Sequence, residues 1–444
     1  MAQELNVGII GGGYAGMAAA VTLAERSIPL TVYESAKQLG GRARGVPYQS
    51  LQLDNGQHLL LGCYHETLRL IELVGGDIER DFLRLPLQLT LHNCFEVKSA
   101  RLPAPLHLLL GLLTAHGLTF AQRMNAVRFM LAMRRTNFSL SGEGERGNGM
   151  TVTELLQAYA QDEKLQRLLW QPICIAALNT PAHKASAQVL LNVLRDSLNS
   201  VRSDSDLLLP RMDFSALFPE RAAEYVQQRG GAVFTSCGVQ AIIPRGAGIE
   251  LLTANACPEP GRRSARRYSH VICAASPANA ARMLRAVPQC ESVANLIEPI
   301  PFQPIFTVYL QYPEQVVLPQ PMLGFDRCIT QWLFDKGQIA GQHGLIAAVI
   351  SAEGLHQEWD HQQLSENVAQ ELHEQLGLAE PPLWSKVIAE KRATFSCEPG
   401  LVRPAHTTPL ANLLLAGDYT AGDYPATLEG AVMSGIRCAN LISG

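Results

Sequence analysis

The sequence predicts an α/β protein: a parallel-sheet domain assembled from discontinuous segments, joined to an α+β domain with a helical subregion. Three observations predict it. Leu5–Glu34 reads as strand, glycine turn, helix and second strand; Leu413–Leu441, at the far end, reads again as a strand feeding a helix. Between them, from Leu85 to about Leu209, runs a leucine-rich and methionine-rich stretch of helical character.

The first stretch, LNVGIIGGGYAGMAAAVTLAERSIPLTVYE, has the order of a Rossmann-like dinucleotide-binding βαβ unit. Gly11 permits the tight turn after the strand, Gly13 lets backbone approach a pyrophosphate, and Gly16 lets the helix lie close to the sheet. The helix from Tyr14 then directs free N–H groups and its positive dipole end at the phosphates. Glu34 ends the second strand roughly 20 residues beyond the fingerprint, where a carboxylate accepts hydrogen bonds from a ribose 2′-OH. That acid disfavours a 2′-phosphate, which ranks NADP last and leaves FAD and NAD.

Composition narrows the class further. With 444 residues, 47% hydrophobic and 17% charged, the chain is long enough for about two to three domain-sized units. A net charge of −4 argues against nucleic-acid partners. Ten cysteines lie without C-x-x-C pairs or Cys/His clusters, so neither a metal site nor a disulfide framework is expected. The N-terminus lacks a secretory pattern, and reduced cytoplasmic thiols are the expectation. Leu102–Leu118 is the most apolar segment, but two prolines and two histidines interrupt it and it falls short of a membrane span.

Along the chain, Gln38–Arg44 (QLGGRAR) brings Gly40 and Gly41 to a place of close backbone approach, with Arg42 set to meet a phosphate. Leu53–Gly62 reads LDNGQHLLLG. Within Thr119–Thr136, residues Phe120, Met124, Val127 and Leu131 form one apolar stripe, flanked by Arg123 and Arg134 on one side and Arg128 and Arg135 on the other. Phe129, Met130 and Met133 form a second face. Arginines beside an apolar face suit a lipid surface, so peripheral membrane contact is one expectation and packing within the domain the other. Ser139–Asn148 reads as a polar loop, Gly230–Ile243 and Gly248–Thr253 as hairpin strands, and Arg262–Arg267 as the turn between such strands. His270–Ser276 is a buried-strand pattern, Pro304–Tyr312 and His343–Ser351 are strands, and His361–Leu376 is a helix.

The last segment separates the two cofactors. LLLAGD at Leu413–Asp418 is a buried strand ending in glycine and acid, and a helix begins near Ala426. A second strand-to-helix site suits a long two-ended ligand, with one helix N-terminus at the pyrophosphate. The other lies at the flavin N1–C2=O region, whose negative charge grows on reduction. This favours FAD over NAD.

At this point GGGYAG, GGRAR and LLLAGDYTAGDYPATLEGAVMSG resemble the superfamily of FAD-dependent amine oxidases, protoporphyrinogen oxidases and phytoene desaturases. LDNGQHLLLGCYHETL, WQPICIAALNTPAHKASAQVLLNVLRDSL and LLLPRMDFSALFPE look like its squalene-associated branch, the hydroxysqualene dehydroxylases of hopanoid biosynthesis. The resemblance implies that Gly11, Gly13 and Gly16 hold the pyrophosphate and Glu34 the ribose, with Gly41 and Arg42 on the phosphate side. It puts Val239 beside adenine, Gly417 and Asp418 at the ribityl chain or pyrophosphate, and Thr427, Leu428 and Glu429 at the flavin-facing helix. Gly56, Gln57 and His58 pass near the isoalloxazine. Cys438 lies deep in the last helix, away from the position of a flavin-linking cysteine, so FAD is expected to be noncovalent.

The implied reaction reduces an apolar C30 isoprenoid, hydroxysqualene, to squalene with reduced FAD, which an electron donor of unassigned identity recharges. Protonation of the departing oxygen needs an acid, and the candidates are His58, Asp423 and Tyr424. The implied division is a FAD-binding domain of residues 1–85, 211–285 and 386–444, and a substrate domain of 86–210 and 286–385. The expected location is cytoplasmic, peripheral on the inner membrane face. Two other readings stay open: a desaturase or oxidase of a carotenoid-like polyisoprenoid, and a flavin-free prenyl-binding carrier.

Overall fold

A computed structural model describes residues 5–140, 149–198, 201–253 and 265–442. Its organising layer is a five-stranded sheet in which every neighbouring pair is parallel. β1 (Val7–Ile10) leads through the glycine turn into α1 (Tyr14–Glu25), and β2 (Leu30–Tyr33) returns beside it. β3 (Ala232–Phe234), β4 (His270–Cys273) and β5 (Leu413–Leu415) complete the order β3-β2-β1-β4-β5. Strands distant in sequence therefore lie side by side, with Val7 in register with both Leu30 and His270, and Val271 with Leu413. β1 and β2 are buried along their whole length, which is why they read as continuous apolar runs.

α1 is buried from Tyr14 to Ala24 because α2 (Leu428–Leu441) and the helix Pro219–Gln228 cover it. α1 and α2 approach so closely that a Cβ on Gly435 would stand 2.0 Å from the carbonyl oxygen of Ala15. The sequence ends of the chain are thus packed backbone to backbone, and they bring both strand-to-helix turns to one end of the sheet.

A second sheet has seven strands in the order Trp384–Phe395, Phe302–Gln311, Leu345–Ser351, Trp332–Asp335, Met322–Gly324, Gln88–Leu91 and Phe95–Lys98. All its pairings are antiparallel except that of Met322–Gly324 with Gln88–Leu91. The helix His361–Leu376 closes one face with Leu364, Val368 and Leu372, as its periodicity predicts.

Four expectations are corrected. Residues 88–98 form a hairpin of the second sheet, so the helical region starts only at Leu106. Gly230–Ile243 splits: Ala232–Phe234 joins the parallel sheet, and Val239–Arg245 starts an antiparallel trio with Gly248–Thr253 and Ala265–Tyr268. Arg266 and Arg267 therefore lie in a strand, while 262–264 fall outside the described residues, as do 141–148 of the polar loop. Finally, Cys237 is disulfide-bonded, a bridge that no repeated spacing announces.

The helix Phe120–Arg135 begins with a capping box between Thr119 and Gln122. It turns Phe129, Met130 and Met133 inward, whereas Phe120 is 72% exposed and Leu131 38%. Leu106 (54%) and Leu110, on the helix Leu106–Thr114, are exposed as well. No helix among the described residues is long and apolar enough to cross a membrane.

Candidate active site

The first glycine turn has different reasons for each glycine. Gly11 has φ +105°, which favours glycine, and a Cβ on Gly16 would lie 1.9 Å from the Gly11 oxygen. At Gly13 an added Cβ would meet nothing closer than 3.8 Å. The protein's own packing does not require glycine there, which leaves room for a ligand to approach. α1 starts at Gly13 with no side-chain cap and no acidic residue in its first turn, so its N-terminal end fits a pyrophosphate. Glu34 is buried beside this turn, where its carboxylate accepts from the N–H of Gly12 at 2.7 Å and of Ala36 at 2.7 Å. The Cys237 N–H donates to the Glu34 carbonyl at 2.7 Å, which sets the start of Val239–Arg245 against the end of β2.

Gly40 bridges to Gly13, its N–H donating to the Gly12 carbonyl at 2.9 Å, so Gly41 and Arg42 run alongside the first turn. Arg42 Nη2 reaches Asp418 Oδ1 at 2.5 Å and Nη1 donates to the Ala393 carbonyl at 2.8 Å. Gly417, at φ +147°, is tied through its N–H to Ser434 Oγ in α2 at 2.8 Å. Arg403 holds the following turn by donating to the carbonyls of Asp418, Gly422 and Tyr424.

At the start of α2, Thr427 caps Gly430 through its side chain at 3.1 Å, with Tyr64 close by. Leu428 opens the helix beside them. The Glu429 carboxylate turns elsewhere: it accepts from the N–H of Glu66, the N–H of Thr67 and Thr67 Oγ1. It caps the helix His65–Leu73, and burial pushes its pKa up despite these donors. Tyr424 lies near Asp196 of the helix Ala187–Leu198, and burial first, then Asp196, raise the pKa of its phenol. Asp423 is exposed, its carbonyl accepting from Asn192 Nδ2 at 3.1 Å.

The Gly56–His58 turn follows the strand Leu51–Asp54. His58 Nδ1 donates to the Gly56 carbonyl at 2.8 Å, because a carbonyl only accepts. Burial draws this imidazole down to about 4, overriding the Gly56 carbonyl. At neutral pH His58 is therefore a neutral ring with Nε2 as acceptor, which removes the expectation of a histidine acid titrating near neutrality. Beneath the turn lies a buried group that sequence reading missed. Lys336 Nζ is 3.4 Å from Gln57 Oε1 and 3.9 Å from Asp54 Oδ2. Asp54 Oδ1 accepts from the Phe214 N–H at 3.0 Å, and the Phe214 ring lies 5.0 Å from that of His58. Burial pushes Asp54 up to about 6 and draws Lys336 down, each against the other's charge. Asp54 stands in the LDNGQH motif, but Lys336 lies far along the chain in no motif at all.

Two helix N-termini at one end of a parallel sheet, a buried acid at the end of β2 and an arginine bridging the two turns make a site that fits a dinucleotide cofactor. The flavin containing amine oxidoreductase family matches residues 14–443, and the chain belongs to it. It is an FAD-dependent oxidoreductase. The chain is similar to hydroxysqualene dehydroxylase of Sinorhizobium fredii, with 26% identity over 98% of each chain. It is also similar to a chloroplastic/chromoplastic zeta-carotene desaturase of Arabidopsis thaliana, with 23% identity over 99% of this chain and 85% of that one. Among solved structures it resembles an oxidoreductase from Methanosarcina mazei, with TM-score 0.74 and 13% identity over 98% of this chain and 99% of that one. The FAD expectation therefore holds, and the flavin-free carrier is set aside.

Proposed function

We propose that the protein reduces hydroxysqualene to squalene within squalene and hopanoid biosynthesis. The observation that carries this is the collinear similarity to hydroxysqualene dehydroxylase along 98% of both chains. FAD in its reduced form supplies a hydride. The chain's part is to hold the cofactor at both ends, keep water out, and place a proton at the departing hydroxyl. In this reading residues 1–85, 211–285 and 386–444 bind FAD and the rest bind substrate. Gly11, Gly13, Gly16, Glu34, Gly41, Arg42, Gly417 and Asp418 serve the phosphate and ribose end, Val239 the adenine, and Gly56, Gln57, Thr427 and Leu428 the flavin. Of the three candidates we take Tyr424 as the acid, because it stands near Tyr64 at the start of α2 while His58 is held neutral and Asp423 is exposed.

The test is anaerobic. Photoreduced protein mixed with hydroxysqualene should form squalene as the flavin reoxidises, and Tyr424→Phe should slow that step while its flavin spectrum stays unchanged. The similarity to a zeta-carotene desaturase favours a second reading, oxidation of a carotenoid-like polyene. In that case a polyene substrate would bleach oxidised flavin, and hydroxysqualene would leave reduced flavin as it was.

We also propose peripheral membrane contact on the cytoplasmic face, through Leu106, Leu110, Phe120 and Leu131 with Arg128, Arg134 and Arg135 beside them. Apolar side chains enter the lipid boundary while arginines meet anionic headgroups.

A further inference from the structure

We propose that Lys336 is a positioning residue of the flavin site: it grips Gln57 and so fixes the Gly56–His58 turn against the isoalloxazine. This rests on the reading that the turn faces the flavin.

Lys336 opens the short helix Lys336–Ala340 directly after the strand Trp332–Asp335, a position among buried Leu333, Phe334 and Ile339. It is itself only 4% exposed. An aliphatic residue would pack there without the cost of removing an ammonium from water, so the charge needs a reason. The whole reach of the side chain ends at the turn, on Gln57 Oε1 at 3.4 Å and near Asp54 Oδ2 at 3.9 Å. Gln57 passes the restraint on. Its Nε2 donates to the His58 carbonyl at 3.2 Å, and its N–H donates to Thr307 Oγ1 at 3.4 Å.

The near end of the turn is held as firmly. Tyr309 OH donates to the Asp54 carbonyl at 3.1 Å, and the Asp54 carboxylate takes the Phe214 N–H. Asp213, the other acid facing Lys336, is already used by the N–H groups of Ser215 and Ala216. Lys336 thus joins the seven-stranded sheet to the Gly56–His58 turn. Gln57 is a hydrogen-bonding partner that accepts from an ammonium and donates to backbone at once.

The experiment uses the holoenzyme carrying Lys336→Met, Lys336→Arg or Asp54→Asn, and reads the visible spectrum and midpoint potential of bound FAD, FAD affinity, and kcat and KM for hydroxysqualene. Lys336→Met should keep FAD affinity, shift the flavin spectrum and move the potential negative, and lower kcat about tenfold with KM little changed. Lys336→Arg should restore most of the spectrum and rate. An unchanged spectrum and potential in Lys336→Met overturns the proposal, whether or not stability falls. If Lys336→Met does not fold, Asp54→Asn decides by the same two spectral readouts. If wild-type protein leaves hydroxysqualene untouched while Lys336→Met still shifts spectrum and potential, the substrate reading fails and the positioning role stands.

Discussion

Arg42 and Asp418 meet at 2.5 Å across almost the whole length of the chain. Arg42 belongs to the loop lying along the first glycine turn, and Asp418 to the turn before the last helix. Asp418 is 7% exposed, so its carboxylate depends on this partner. Arg42→Ala should destabilise the apoprotein by about 2 kcal/mol in urea unfolding and weaken FAD binding in a fluorescence titration. Asp418→Asn, which keeps an acceptor for Arg42, should do less of both.

Gly13 and Gly16 separate ligand space from packing space. With a Cβ 1.9 Å from the Gly11 oxygen, Gly16→Ala should unfold or fail to accumulate. Gly13→Ala has no protein atom within 3.8 Å of its new methyl. It should fold as an apoprotein with wild-type circular dichroism and melting behaviour, yet take up no FAD. Normal FAD uptake by Gly13→Ala would remove the pyrophosphate from that turn.

Glu429 accepts from three donors of the helix His65–Leu73 while 2% exposed. Glu429→Ala strands those donors and should cost about 3 kcal/mol of unfolding free energy. The FAD it still binds should show the wild-type spectrum, since the carboxylate is committed to the helix His65–Leu73. Calorimetry and absorbance on the same preparation check both parts.

Asp54 and His58 make opposite demands on pH. Asp54 is raised to about 6 by burial, so the folded state holds its proton more tightly and stability falls as pH rises from about 4 to 6. The full effect is about 3 kcal/mol. His58 is lowered to about 4 by burial, so stability falls as pH drops from about 6.5 towards 4. Lys336 and Asp213 face Asp54, and Arg42 faces His58. In the wild type the two slopes oppose. Relative to the wild type, His58→Gln should tilt the stability slope downward with rising pH across this window, and Asp54→Asn should tilt it upward. Unfolding curves at three pH values distinguish them.

Phe120 and Leu106 are the most exposed apolar side chains of their two helices. Replacing both by serine should abolish co-sedimentation with anionic liposomes at low salt while leaving FAD absorbance intact. Equal sedimentation of the variant would move the lipid contact elsewhere.

Local chemistry made much of this protein legible. Gly11, Gly13, Gly16 and Glu34 carry their roles within thirty consecutive residues, and the strand and helix after Leu413 carry theirs within a similar span. Buried parallel strands and glycine turns write themselves into neighbouring positions, so β1, β2, β4 and β5 could be read. The edge strand Ala232–Phe234 could not, since three half-buried residues do not reveal whether they pair in a hairpin or beside β2.

By itself, then, the sequence determined a two-ended dinucleotide site, its preference for FAD and the apolar character of the region between. Only the tertiary structure decided which charges face one another. It joined Arg42 to Asp418, turned Glu429 away to cap another helix, made His58 neutral, and placed Lys336 under Gln57. The physical reason is that burial and partnership set a side chain's charge and direction, and both come from residues hundreds of positions away that no local pattern records.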